Sequence, residues 1–274
     1  RMSGEGGGAR GGWGGGGRGG RGAGADGGGG GGGGGEVPVV EWGGGGGARA
    51  RMAEVGRAGR HDVQPWCSAH CAGRVRSRGR TALAWDEVLE GDVPEGVRIL
   101  AWRGPVAMRE AVRSGIPLIA CRDLEVYLDY AQADSDEEPI RVGPPLTIER
   151  SYTLRIEECA VGGHANVWTE HLPRGDRVDF AMFPRLAAIA ERLWEGGDPA
   201  PFDDFARRIP THLRRLAAAG VRYRSPDGPS PAQRRPGVPG KPMTIEAREQ
   251  IVEGLVARLV ERSETAPDEV VTQK

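Results

Sequence analysis

Three tryptophans stand at the ends of short apolar segments, where their indole rings could contact a ligand. They are Trp85, Trp102 and Trp168, and each closes a run of residues typical of a β-strand. The flat face of an indole suits the apolar face of a pyranose ring or an acetamido methyl group, and neighbouring carboxylates accept hydrogen bonds from hydroxyls. One such tryptophan is as often an ordinary core residue, but three in equivalent positions indicate carbohydrate recognition.

A fourth segment, residues 126–130, contains a phenol and a carboxylate that could contact the same ligand. In an extended conformation, side chains two residues apart point to the same side. Tyr127 and Asp129 are therefore predicted to face one ligand together.

These residues must be positioned by a sheet, and the sequence supplies the pattern for one. From residue 80 onward, short apolar segments alternate with helical patterns, as in βαβ units with a parallel sheet. The sequence predicts strands at 81–85, 97–102, 117–121 and 160–168, with a helix at 106–113. In a barrel of such units the C-terminal strand ends line the active site, so the three indoles should converge there.

Two amphipathic helices are predicted after the last strand, at 180–194 and 202–219. The inward face of the first is predicted to contain Phe183, Leu186, Ala187, Ala190, Leu193 and Trp194. That of the second is predicted to contain Phe205, Ile209, Leu213 and Leu216, with a kink at Pro210 and a left-handed cap at Gly220.

The C-terminal part begins with a proline-rich linker, residues 225–243. Thr244 is the predicted N-cap of a helix that extends to about residue 263. Its apolar side could dock on the preceding domain or pair with another chain, and the sequence leaves both open.

The first 77 residues differ from the rest in composition. Of the 47 glycines, 28 lie in the first fifty positions, interspersed with arginines, and such a segment buries too little to offset its ordering entropy. Residues 51–76 show no helical or strand periodicity. Residues 1–77 are therefore predicted to be low-complexity and disordered, or read out of frame; an RGG-like arm that binds RNA is the alternative.

The overall composition excludes several classes of protein. The formal net charge of −1 gives no general bias toward nucleic acid or an anionic membrane. Four cysteines are too few for a disulfide framework, and Cys67, His70 and Cys71 lack the second ligand pair of a structural zinc site. Neither a signal peptide nor a membrane helix is expected, since no charged-then-apolar pattern opens this sequence and no apolar run reaches about 18 residues. No metal, cofactor, nucleic acid or membrane partner is expected; localisation stays unknown, with the cytoplasm as default.

Several motifs, in order and at similar spacing, resemble those of the glycoside hydrolase family 20 β-N-acetylhexosaminidases. They are Trp85-Asp86-Glu87, Ala101-Trp102-Arg103-Gly104, Tyr127-Leu128-Asp129-Tyr130, Ala165-Asn166-Val167-Trp168-Thr169-Glu170 and Phe183-Pro184-Arg185-Leu186. The resemblance covers residues 78–224 and implies an α/β fold, a partial (β/α)8 TIM barrel containing strands five to eight. Residues 244–274 would form a C-terminal helix and tail.

The resemblance also implies roles for the site residues. Trp85 and Trp102 would form the walls of an acetamido pocket, and Trp168 the floor under the sugar. Tyr127 would hold the acetamido oxygen, which in this family attacks the anomeric carbon, so that the substrate supplies its own nucleophile and configuration is retained.

Two acids would complete the contacts, since Asp129 and Glu170 would bind the outer hydroxyls of a terminal sugar. Such contacts position the substrate. They would explain cleavage from the non-reducing end of N-acetylhexosamine-terminated glycans, the expected partners.

The sequence departs from the family at the catalytic acid. The family's His-x-Gly-Gly-Asp-Glu motif does not occur, and Asp86-Glu87 corresponds to a different pair, after strand five. Loss of general-acid assistance lowers rates on the order of 10²- to 10⁴-fold. The sequence thus predicts an inactive, N-terminally truncated part of an exo-acting β-N-acetylhexosaminidase that self-associates through open barrel edges. The alternative is a non-catalytic carbohydrate-binding fragment.

Overall fold

In this computed structural model, residues 46–54, 56, 63–139, 143–157, 159–234 and 243–265 are described. The Gly/Arg-rich segment 1–45, residues 235–242 of the predicted linker and the tail after residue 265 lie outside them. The predictions of disorder and of RNA binding for the Gly/Arg-rich segment therefore stay predictions.

Four short strands form one parallel sheet in the order β1-β2-β3-β4. They are β1 (Leu83–Trp85), β2 (Arg98–Ala101), β3 (Leu118–Ala120) and β4 (Ala160–Gly163). The register pairs Ala84 with Ile99 and Ala101 with Ala120, and it shifts between β3 and β4. All four strand positions predicted from the sequence are confirmed, although β4 ends earlier than residue 168.

Helices connect and cover these strands. They are α1 (Gly46–Glu54), α2 (Val63–Arg76), α3 (Pro105–Arg113), α4 (Asp123–Val126), α5 (Ile148–Tyr152), α6 (Gly175–Met182), α7 (Arg185–Glu195), α8 (Phe202–Ala218) and α9 (Ile245–Thr265). A 3₁₀ helix, Asp86–Glu90, follows β1. The predicted helix at 106–113 is confirmed as α3, with Pro105 in its first turn, where the missing N–H has no intrahelical acceptor to lose.

The sheet separates two groups of apolar side chains because successive residues of a strand point to opposite faces. Ile99 and Ala101 belong to a first cluster with residues of α3, whereas Leu100 belongs to a second cluster with residues of α4 and α7. A third cluster joins α5, α7 and α8 around Tyr152 and Phe205.

The segment predicted as one helix at 180–194 forms parts of two helices. Phe183 and Pro184 interrupt the helical conformation between α6 and α7. Its predicted inward face is also wrong in part: Ala190 is exposed, and Trp194 is 91% exposed. The buried side chains of α7 are Arg185, Ala188, Ile189 and Arg192. Two arginines take core positions because each guanidinium donates to backbone carbonyls, which apolar periodicity does not detect.

The helix predicted at 202–219 is confirmed as α8, whereas its predicted kink at Pro210 stays a prediction. Phe205, Ile209 and Leu213 are buried, and Pro210 lies inside the helix. Gly220 follows its end with φ of +78°, the left-handed conformation that glycine adopts without a Cβ clash.

Two helices, α1 and α2, form where the sequence shows no periodicity. Ala72 of α2 is buried in the first cluster, beside Val88 and Leu89 of the 3₁₀ helix. Because α2 contributes Ala72 as its buried residue in this cluster, its sequence does not need the wide apolar stripe by which amphipathic helices are recognised.

The C-terminal helix docks on the same domain, which decides between the two possibilities left open by the sequence. α9 packs against α3 and the 3₁₀ helix, and Leu259 is fully buried in the first cluster. Arg103 Nη1 donates to the carbonyl of Leu255 at 2.9 Å. Thr244 caps the helix as predicted, because its Oγ1 accepts from the Ala247 amide at 3.1 Å.

Replacement of Leu259 by alanine tests this docking. Because its side chain has no solvent exposure, Leu259→Ala should lower the free energy of unfolding by about 2–5 kcal/mol, as for other buried leucines. Ile251→Ala, on the same helix at 45% exposure, is the control and should change it by less than about 0.5 kcal/mol. Urea denaturation measures both, and equal small effects would show that α9 is not docked.

Candidate functional site

The C-terminal ends of the four parallel strands meet at one edge of the sheet, and the predicted site residues follow those ends. Trp85 is the last residue of β1, and Trp102 comes directly after β2. Beyond β3 and β4, Tyr127 and Asn166 form an isolated parallel bridge that continues the pairing of these two segments. The sheet therefore brings four separate segments of the chain to one edge.

Aromatic rings at this edge form two pairs. Trp85 and Trp168 have ring centroids 6.1 Å apart, and Trp102 and Tyr127 have centroids 6.3 Å apart. Trp85 and Trp102 both pack against the second core cluster, which contains Tyr127. Trp168 remains 38% exposed, so its ring is accessible from solvent.

Trp102 is held by the two acids that follow Trp85. The carboxylate of Asp86 is fully buried and accepts the backbone N–H groups of Trp102 and Arg103, both at 2.9 Å, and Arg103 Nε at 2.6 Å. Glu87 Oε1 accepts from the indole Nε1 of Trp102 at 3.0 Å. Asp86 and Glu87 thus fix the backbone and the ring orientation of Trp102.

Tyr127 lies in a segment whose conformation differs from the prediction. Residues 126–130 are not extended throughout: α4 ends at Val126, Tyr127 alone is extended, and the Tyr130 amide donates to the Tyr127 carbonyl at 3.2 Å in a turn. Burial, with nearby acids, raises the pKa of the Tyr127 phenol, so it stays protonated and can donate a hydrogen bond.

The turn that follows Tyr127 is organised by a residue whose role sequence reasoning missed. Arg185 Nη2 donates to the carbonyls of Leu128 (2.6 Å), Tyr130 (3.0 Å) and Ala181 (2.7 Å), and its Nη1 donates to Leu146 (2.9 Å). An arginine inside the apolar stripe of a helix was the signal that could have revealed it.

Asp129 is brought close to Tyr127, Trp168 and Glu170 by this turn. The residue is 3% exposed, and neither carboxylate oxygen makes a hydrogen bond of normal geometry among the described residues, although the backbone amides of Asp129 and Trp168 lie near the carboxylate. Burial raises its pKa to about 6, against the lowering effect of the Asp129 and Trp168 backbone amides and of Arg185. Glu170 is exposed, and its charge adds to the rise.

All six predicted site residues therefore lie along this edge, in two aromatic pairs and one neighbouring pair of acids. Asp129 has acceptor oxygens with no described protein partner, which suits hydroxyl groups of a ligand.

The described residues contain no group of three or more His, Cys, Asp or Glu side chains placed to hold a metal ion. His70 of α2 stacks on Trp66, and Cys67 and Cys71 are exposed free thiols on the same helix. Nor does any helix in the described ranges have the length and apolar character needed to cross a bilayer.

Comparison with known proteins points to one family. A protein-family sequence model, described as glycosyl hydrolase family 20, catalytic domain, matches residues 31–197. This span includes all six site residues and ends before α8 and α9. It starts ahead of residue 78, where the recognisable motifs begin.

Curated relatives carry related names at low identity. A β-hexosaminidase of Porphyromonas gingivalis is 28% identical over 201 residues, which is 70% of this chain and 26% of that protein. A β-N-acetylhexosaminidase of Cellulomonas fimi is 24% identical over 174 residues, or 60% of this chain and 35% of that protein. The chain therefore spans about a quarter to a third of the length of these relatives.

Solved structures show the same likeness in three dimensions. An exo-β-N-acetylglucosaminidase of family 20 from Vibrio harveyi, solved with N-acetylglucosamine, superposes with a TM-score of 0.63 at 27% identity, covering 70% of this chain and 32% of that one. A β-N-acetylhexosaminidase from Bacteroides fragilis gives 0.52 at 26% identity, covering 66% and 39%. The α/β fold is accordingly of the TIM-barrel type.

The raised pKa of Asp129 predicts a pH-dependent stability. A carboxyl with a higher pKa in the folded state favours folding when protonated, so its contribution is lost as pH rises from about 4 to about 6. The free energy of unfolding of the wild type, relative to Asp129→Asn, should fall across that window by up to roughly 3 kcal/mol.

Urea denaturation at several pH values measures this difference, with Asp134→Asn as the control because Asp134 is exposed. The control should track the wild type throughout. A parallel wild-type and Asp129→Asn profile would contradict the assignment.

Proposed function

The chain belongs to glycosyl hydrolase family 20, and from that premise we propose that it carries the amino-sugar-binding part of an exo-acting β-N-acetylhexosaminidase. One observation carries the proposal. Two aromatic pairs lie at the C-terminal edge of the sheet beside a buried carboxylate whose oxygens have no described hydrogen-bond partner. Stacking surfaces next to open acceptors are what a pyranose with an acetamido group requires.

The aromatic residues would enclose the acetamido group and the sugar ring. Trp85 and Trp102 would form walls of the pocket, and the more exposed Trp168 would lie under the sugar. Tyr127 would donate its phenolic hydrogen to the acetamido oxygen and orient the attack of that oxygen on the anomeric carbon. The raised phenol pKa supports this role because only the protonated phenol donates.

The two acids would bind hydroxyls at the far side of the sugar. Asp129, buried and adjacent to Trp168, would accept from one hydroxyl, and Glu170, exposed nearby, from another. Because these contacts close off the non-reducing end, they support removal of terminal residues from glycans. The names of two similar proteins are consistent with this substrate class: the β-hexosaminidase of Porphyromonas gingivalis and the exo-β-N-acetylglucosaminidase of Vibrio harveyi.

We assign the four strands to the second half of an eight-stranded barrel, strands five to eight. The general acid of the family belongs to a His-x-Gly-Gly-Asp-Glu motif that the sequence does not contain. Asp86 and Glu87 are engaged with Trp102 and Arg103, which supports a positioning role for them rather than an acid–base role. We propose that this chain alone binds an amino sugar without turning it over.

Calorimetric titration with an N-acetylglucosamine-thiazoline-type mimic tests the binding. The wild type should bind saturably. Tyr127→Phe removes one donor and should weaken binding about tenfold. Trp102→Ala removes a wall of the pocket and should weaken it about a hundredfold.

Trp194→Phe is the matched control, since Trp194 is 91% exposed on α7 and should leave affinity unchanged. In parallel, release of p-nitrophenol from its N-acetyl-β-glucosaminide should stay at least about 10²-fold below that of a complete enzyme, because the general acid is absent. Folded protein that gives no binding heat would overturn the proposal, and turnover at full rate would overturn the assignment of inactivity.

We also propose that the open edges of the sheet favour self-association. Leu83 in β1 and Val161 in β4 are 52% and 56% exposed, and these are the edge strands of the described sheet. Exposed strand edges with apolar side chains pair readily with other chains.

Sedimentation velocity over a range of concentrations tests this association. Leu83→Lys and Val161→Lys should shift the protein toward monomer, because an inserted charge opposes edge pairing. Val112→Lys, at a comparably exposed position on α3, should not. A wild type that stays monomeric at the highest concentration would contradict the proposal.

A further inference from the structure

The N-terminal end of α9 reaches the candidate site, although α9 lies outside the span matched by the family model. Arg248, in the first turn of α9, donates from Nε to Asp123 Oδ2 at 2.6 Å. Their side chains are 18% and 5% exposed, so this ion pair is largely withdrawn from water.

The guanidinium of Arg248 also contacts two aromatic rings. Its Cζ lies 5.8 Å from the centroid of Trp102 and 5.9 Å from that of Tyr130. Both of these rings adjoin Tyr127, with centroid distances to it of 6.3 Å and 5.7 Å. Arg248 therefore contacts two of the aromatic rings that adjoin Tyr127.

Asp123 links the arginine to the same turn. Its Oδ2 accepts from the hydroxyl of Tyr130 at 3.1 Å as well as from Arg248, and its Oδ1 accepts from the Leu124 amide at 2.8 Å. A carboxylate buried to this extent requires a partner of opposite charge. Arg248 supplies that charge, and the carboxylate in turn fixes the Tyr130 ring.

The arginine is held in place by the rest of α9. The carbonyl of Leu255 accepts from Arg103, which is itself paired with Asp86, the acceptor of the Trp102 amide, and Leu259 is buried in the first cluster. α9 is thus attached to the loop of Trp102 at two points, through Arg103 and through Arg248.

We propose that Arg248 is a positioning residue of the amino-sugar site, which clamps Trp102 and Tyr130 and thereby sets the direction of the Tyr127 phenol. A planar guanidinium can lie against two rings while its Nε pairs with a carboxylate, whereas a lysine ammonium keeps only the charge. The affinity consequence rests on the proposed function; the effect on the aromatic rings does not.

The test compares Arg248→Lys and Arg248→Met with Gln250→Ala, a control at an exposed position two residues further along the same helix. Near-UV circular dichroism without ligand reports the fixed packing of the rings. The aromatic signal should decrease in Arg248→Met, decrease less in Arg248→Lys and stay unchanged in the control.

Calorimetry with the thiazoline-type mimic reports the site. Affinity should fall about tenfold in Arg248→Met and about threefold in Arg248→Lys, the partial rescue expected of a charge without a planar face. Because Arg248→Met leaves the buried Asp123 carboxylate without its cation, the double variant Asp123→Asn with Arg248→Met removes that unpaired charge as well, and it should bind as weakly as the single Met variant.

The outcomes separate the two proposals. A wild type that binds no mimic refutes the proposed function, and the dichroism series then decides the role of Arg248 by itself. An Arg248→Met protein with wild-type dichroism and, where the wild type binds, wild-type affinity overturns the positioning role. An Arg248→Lys protein with wild-type dichroism and, where the wild type binds, wild-type affinity also overturns it, because charge alone would then account for the role of Arg248.

Discussion

Backbone polar groups beyond the ends of the strands must find partners without the help of a neighbouring strand, and two buried charges meet this requirement. Asp86 accepts the amides of Trp102 and Arg103. Arg185 donates to the carbonyls of the turn after Tyr127. An unpaired buried backbone group costs as much as a lost hydrogen bond, so the loops at this edge can take their observed course only while both charges are in place.

The placement of the aromatic rings follows from these two anchors. Because Asp86 and Glu87 fix Trp102 and Arg185 fixes the turn of Tyr127, the two rings approach at 6.3 Å although they belong to segments after different strands. Asp129 differs from Asp86 and Asp123, two other buried acids, in its surroundings. Each of those two is paired with an arginine, whereas the oxygens of Asp129 have no described hydrogen-bond partner. In the proposed function, these oxygens would accept from a hydroxyl group of the ligand.

The C-terminal helix extends this network beyond the matched family domain. Arg103 connects Asp86 and Glu90 to the backbone of α9, and Arg248 connects α9 to Asp123 and the rings around Tyr127. The first cluster supplies the apolar contact that holds α9 against α3, so the polar contacts at its N-terminal end occur on an element whose position packing has already determined. Arg103 and Arg248, each paired with a carboxylate, therefore connect the candidate site to α9.

The sequence by itself determined the strands, the order of the motifs and the six side chains at the strand ends, because alternation and the aromatic residues at fixed places are local properties of the chain. It could not determine that residues 126–130 turn, that α7 buries Arg185 while exposing Trp194, that α2 forms without an apolar stripe, or that α9 docks through Leu259 and Arg248. Each of these depends on which carbonyl, carboxylate or ring lies opposite in space, often more than a hundred residues away along the chain, as for Arg248 and Asp123. Periodicity reports where a side chain points on its own element, and only the tertiary structure decides what it meets there.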